Sequence, residues 1–167
     1  MDAPRRLIVV RHAKSDWSDG LPDHDRPLAP RGLRAAPKLG RWLVDAGYVP
    51  ELVFCSTARR TRETWQHVAG ELPAAPPVTF DEDLYGADVP ELLNAASQTP
   101  PEVTTVALVG HEPGVSDLTL HLAGHGDDTR DVQVKFPTGA AAVLETTDPW
   151  DALATAELVA FFRPRDA

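Results

Sequence analysis

Three stretches of this chain place histidine and arginine where phosphoryl chemistry can be done. The apolar run Leu7-Ile8-Val9-Val10 leads directly into Arg11-His12-Ala13. Val109-Gly110 leads into His111, and Cys55-Ser56 leads into a segment bearing Arg59, Arg60 and Arg62. A neutral imidazole can act as a nucleophile. A guanidinium presents a planar fork of donors that matches two phosphate oxygens. Arginine in a first helical turn runs against the helix dipole, unless a phosphate shares that N-terminus.

The surrounding pattern supplies elements to position these groups. Residues 6–10, apolar from Leu7 to Val10 and mostly β-branched there without alternation, are predicted to form a buried strand. Residues 14–30, rich in Asp, Pro and Gly, read as a loop. A helix is predicted over 31–46, with Leu33, Ala36, Leu39 or Gly40, and Leu43 on its apolar face, Gly47 as its stop and Pro37 as an internal defect. Further strands are predicted at 52–55, 78–80, 103–109, 140–145 and 157–162. Further helices are predicted at 58–72, with Thr61, Trp65, Val68 and Leu72 near one face, at 89–96 and at 115–123. Strands alternating with helices imply an α/β fold, a three-layer α/β/α sandwich with a mostly parallel central sheet. Strand ends on one edge of such a sheet are where ligands bind, so His12 and His111 are expected to emerge together.

With 167 residues and 43% hydrophobic content, the chain fits one globular domain over 1–167. Its net charge of −9 argues against nucleic acid as a partner. Residues 1–62 carry 12 Lys/Arg and 7 Asp/Glu (+5), and residues 63–167 carry 4 and 18 (−14). Chance and solvated helix faces explain such a split, as does an anionic-substrate pocket built from the N-terminal segments. No apolar run is long enough for a membrane span, and Asp2 and Pro4 argue against a leader peptide. A single cysteine, Cys55, excludes an internal disulfide framework. The expected setting is a cytoplasmic monomer.

R-H-A-K-S (11–15), D-R-P-L-A-P-R-G (25–32), S-T-A-R-R-T-R-E-T (56–64), V-G-H-E-P-G (109–114) and F-P-T-G-A (136–140) together resemble the histidine phosphatase superfamily of phosphoglycerate mutase-like fold, and within it the SixA-type phosphohistidine phosphatases. The resemblance implies that His12 is the nucleophile and forms a phosphohistidine. It also implies that Arg11, Arg60 and His111 bind the equatorial phosphate oxygens. Ser56, Arg60 and Thr64 fit the family's spacing of Ser, three residues, Arg, three residues, Thr, which selects Arg60 over Arg59. Two arginines and a second histidine can supply the charge stabilisation that magnesium gives elsewhere, so neither metal nor other cofactor is required.

Other positions stay open between two readings. Arg26 either binds phosphate or anchors its loop through Asp23 or Asp25. Lys14 and Ser15 either line the entrance or are merely solvated. Trp17 is a candidate for the rim, while Trp42 and Trp65 read as helix packing. Larger family members protonate the leaving group with a mid-chain carboxylate, which here points to Glu82 or Asp83, although three adjacent acids also make an ordinary solvated turn. SixA-type members lack a clear acid there, which imidazole as leaving group tolerates. His121 and His125 are four apart, but Gly124 separates them and no third metal ligand is evident. Cys55 reads as a buried strand residue.

The expected function is therefore a metal-independent phosphatase acting on a phosphohistidine protein. The alternatives are a phosphatase or mutase for a small phosphorylated metabolite, and a phosphate-binding adaptor without turnover.

Overall fold

The computed structural model describes residues 3–18 and 20–166; Met1, Asp2, Asp19 and Ala167, and with them part of the leader-peptide argument, lie outside the described residues. Six strands form one sheet in the order β3-β2-β4-β1-β5-β6. They are β1 (Arg5–Arg11), β2 (Leu52–Ser56), β3 (Val78–Asp81), β4 (Thr105–Gly110), β5 (Ala141–Thr146) and β6 (Glu157–Phe162). The first four run parallel, and β5 and β6 close the sheet antiparallel. The helices are α1 (Pro30–Ala46), α2 (Arg59–Ala69), α3 (Val89–Ser97), α4 (Gly114–Ala123) and α5 (Arg130–Val134).

Alternate residues of the central strands serve opposite faces, as the period of two requires. Ile8, Val10, Val53, Cys55, Ala107 and Val109 pack beneath α1 and α2 with Leu39, Leu43, Trp65 and Val68. Leu7, Val9, Phe54, Val106 and Leu108 pack on the other side with α3 and α4 through Leu92, Val115 and Leu118. This is the α/β/α sandwich expected from the alternation of elements.

Differences from the sequence reading have local causes. Leu33 is 42% exposed, and Gly32 takes the buried position in its place. A Cβ on Gly32 would lie 2.2 Å from the Lys14 carbonyl oxygen, so the helix approaches the loop after His12 too closely for a side chain. Pro37 is accommodated within a continuous α1, and Pro30 opens that helix where a missing N–H costs nothing. Helix α2 stops at Ala69, but a turn from Leu72 N–H to the Ala69 carbonyl still buries Leu72. Val103 stays outside β4 because its N–H is taken by the Pro100 carbonyl. Helix α5, five residues long, has too short a repeat to be read as a periodic pattern.

Candidate active site

Parallel pairing of β1 with β4 sets Arg11 opposite Gly110, so His12 and His111 leave neighbouring strands at one sheet edge. Their ring centroids are 5.4 Å apart. Strand β2 ends on the same edge at Ser56, and α2 then brings Arg60 inward. His12, His111, Arg11, Arg26 and Arg60 all line one cleft of about 180 Å³.

His12 is held from both sides. Its Nδ1 lies 2.7 Å from the Ala13 carbonyl oxygen, which can only accept, so Nδ1 carries the proton. Nε2 is thereby left with its lone pair. The backbone is pinned as well: His12 N–H donates to the Gly110 carbonyl at 3.1 Å, and Gly139 N–H donates to the His12 carbonyl at 2.9 Å. Ala13 N–H donates to Thr64 Oγ1 at 2.9 Å, and that hydroxyl donates to the Arg60 carbonyl at 2.6 Å. Thr64 thus joins the nucleophile's loop to the helix that carries Arg60.

Burial pushes the His12 pKa down to about 4, with Arg60, Arg11 and Arg26 adding to the effect against the Ala13 hydrogen bond. Burial likewise pushes His111 down to about 3, reinforced by His12 and Arg60. Both rings are neutral at pH 7. His111 Nε2 is 2.8 Å from Ser56 Oγ, while its Nδ1 is buried without a hydrogen-bond partner. Arg11 Nε and Arg60 Nε are also buried and unpartnered. Buried polar atoms without partners are costly, and all three belong to residues that line the cleft.

Arg60 is buried and its terminal nitrogens both bond Asp23. Arg59 lies on the exposed side of α2 and pairs with Glu63 at 3.1 Å. Arg26 anchors its loop through Asp23 and also borders the cleft. Its Nε donates to Asp23 at 3.1 Å and its Nη1 to Ser15 Oγ at 2.8 Å. Ser15 is accordingly buried, whereas Lys14 is exposed at the cleft edge. Trp17 is 70% exposed and stacks on Arg26, whose Cζ is 3.3 Å from the ring centroid.

Glu82 and Asp83 are exposed and do not line the cleft. The structure does not bring either to His12. Their turn instead delivers Tyr85, whose hydroxyl donates to Asp23 and whose ring meets His111 edge-on at 5.5 Å. Among the carboxylates, Glu112 lines the cleft next to His111. Its oxygens accept from Ser116 N–H and Ser116 Oγ, each at 2.9 Å. Glu112 and Thr138 also line the cleft and lie inside the 109–114 and 136–140 motifs, where neither is an expected site residue. Their signal was adjacency to His111 and to Gly139, the latter a left-handed position at φ 79°. Tyr85 and the full role of Asp23 left no such mark. His121 and His125 are both exposed, and no group of three or more His, Cys, Asp or Glu among the described residues could hold a metal.

Fold and site define a class, and the comparisons agree with it. Residues 7–100 match the family model of the histidine phosphatase superfamily, branch 1, and the chain belongs to that family. Its curated relatives include the uncharacterized protein ML1117 of Mycobacterium leprae (strain TN), 43% identical over 165 residues, covering 93% of this chain and all of the relative. The uncharacterized protein Rv1276c of Mycobacterium tuberculosis (strain ATCC 25618 / H37Rv) is 41% identical over 162 residues with the same coverage. Among solved structures, a candidate phosphohistidine phosphatase SixA from Nakamurella multipartitia superposes with TM-score 0.86 at 33% identity, covering 98% of both chains. Another from Agrobacterium tumefaciens gives 0.84 at 30% identity, covering 98% of this chain and all of the other. No helix among the described residues is long and apolar enough to cross a membrane.

Proposed function

We propose that the protein is a metal-independent phosphatase working through a phosphohistidine on His12, with protein phosphohistidine as its substrate. His12 Nε2 attacks phosphorus in line; the Nε2–P bond forms as the bond to the leaving group breaks. Arg11, Arg60 and His111 stabilise the equatorial oxygens. Water then attacks phosphorus, the Nε2–P bond breaks, orthophosphate leaves and a proton passes to solvent.

The arrangement of carboxylates in and around the cleft supports this substrate class. Tyr85 takes the position beside His111, and Glu82 and Asp83 stay out of the cleft. Glu112 has both oxygens engaged by Ser116. An alkoxide would leave badly from such a site, whereas protonated imidazole needs little help. The test is a substrate panel in chelator, comparing phosphohistidine peptides with sugar phosphates and nucleotides. The peptides are expected to react with the highest kcat/KM. Preference for a sugar phosphate, or dependence on added metal, refutes the reading.

A further inference from the structure

A second, larger cavity of about 720 Å³ opens beside the catalytic cleft and shares Arg11, Lys14 and Thr138 with it. Six cationic side chains line it: Arg11, Lys14, Arg31, Lys135, Arg163 and Arg165. Asp131 is the carboxylate among the described lining residues, and it lies 3.8 Å from Arg163.

This concentration runs against the composition of the chain. Beyond Arg62 there are four Lys/Arg, namely Arg130, Lys135, Arg163 and Arg165, against eighteen Asp/Glu. Three of those four line this cavity. The fold gathers them from the end of α5 and the end of β6, while Arg31 stands in the first turn of α1, where the helix dipole disfavours a cation. Like charges crowded in this way repel, and an anionic ligand relieves the repulsion. The walls also offer apolar contact, since Val134 is 79% exposed and Pro137 and Pro164 lie alongside it.

We infer that this groove docks an acidic polypeptide segment of the phosphoprotein substrate while the phosphorylated side chain enters the cleft at His12; the inference rests on the phosphohistidine reading. Size and spread favour a polypeptide. A small metabolite's second phosphate calls for donors converging on one point, and the arginines gathered here, Arg11, Arg26 and Arg60, line the cleft proposed for the reacting phosphate. The groove has four times the cleft's volume, 720 against 180 Å³, with its cations distributed around apolar walls. A chain of net charge −9 repels acidic proteins elsewhere on its surface, so the basic groove also orients the encounter.

The experiment uses two phosphohistidine peptides of equal length, one flanked by Asp/Glu and one by Asn/Gln, with an aryl phosphate as control. The wild-type protein is expected to favour the acidic peptide by about tenfold in kcat/KM at low salt, through KM, with the preference shrinking as salt rises. The double variant Arg31→Glu/Lys135→Glu should lose that preference and keep aryl phosphate turnover within about twofold, because rim charges act on encounter rather than chemistry. Equal use of both peptides, or a preference that survives in the variant, overturns the docking groove and leaves the phosphohistidine reading standing. Turnover of aryl phosphate with neither peptide hydrolysed overturns both. A preference for bisphosphorylated over monophosphorylated sugars that disappears in the variant also overturns the proposal, in favour of a second-phosphate subsite.

Discussion

Arg60 holds Asp23 twice, through Nη1 to the backbone carbonyl at 2.7 Å and through Nη2 to the carboxylate at 3.0 Å. The same carboxylate accepts from Arg26 Nε and from the Tyr85 hydroxyl. One acid therefore sets the orientation of two arginines in the cleft and ties α2, the loop after β1 and the turn after β3 together. The Tyr85 hydrogen bond, followed by Arg60 and Arg26, pushes the Asp23 pKa down to about 2. Asp23 acts through these arginines and is a positioning residue.

Asp23→Ala is expected to lower kcat/KM for an aryl phosphate roughly tenfold, the usual scale for losing a group that orients a binding side chain. Inhibition by vanadate should weaken in parallel, because Arg60, a proposed oxyanion ligand, loses the acid that orients it. Unchanged vanadate inhibition would assign Asp23 a purely structural part.

His12→Ala should abolish labelling of the protein by radioactive phosphoryl donor and reduce turnover at least about a thousandfold. Arg60→Ala should reduce turnover about a hundredfold or more, as removal of a transition-state donor does. Activity near wild-type in the first variant places the nucleophile elsewhere.

The pH response follows from the buried rings. His12 and His111 have folded pKa values of about 4 and about 3, below the ordinary 6.5. As pH falls through 6.5, the unfolded chain takes up protons that the folded site refuses. Stability therefore drops between pH 6.5 and about 4, by up to about 1.4 kcal/mol per pH unit for each ring, and the penalty levels off below the folded values. Urea denaturation at several pH values measures the slope. NMR titration should find both rings neutral at pH 5.5 without phosphate; an inflection near 6.5 for either contradicts the burial account.

Helices α1 and α2 approach through Gly40, where a Cβ would lie 2.4 Å from the Val68 carbonyl oxygen. Gly40→Ala should cost about 1–3 kcal/mol in urea denaturation, the range for overpacking a tight contact. Gly70→Ala is the control, since its Cβ would meet nothing nearer than 3.6 Å. Equal effects at the two positions would remove close approach as the cause.

Much of the site was legible because its signals are local. Strand-end histidines on β1 and β4 need only parallel pairing to meet, and Arg60 and Thr64 stand four apart on α2 just after the end of β2. The rest depends on contacts distant in sequence. Tyr85 reaches Asp23 across 62 positions, and the neighbouring Glu82 and Asp83 lie outside the cleft. The groove cations at 31, 135, 163 and 165 form no motif, and only the fold assembles them. Leu33 was misplaced because the loop after His12 presses on α1 and demands Gly32 there.

Cys55 immediately precedes Ser56, yet its thiol is fully buried and burial pushes its pKa up to about 12. At neutral pH there is almost no thiolate for an oxidant or alkylating agent to attack. The proposed phosphoryl acceptor is an imidazole and the chain's lone sulfhydryl is sealed in the sheet. Peroxide at levels that silence cysteine-dependent phosphatases should leave this protein active, so dephosphorylation here can continue through oxidative stress.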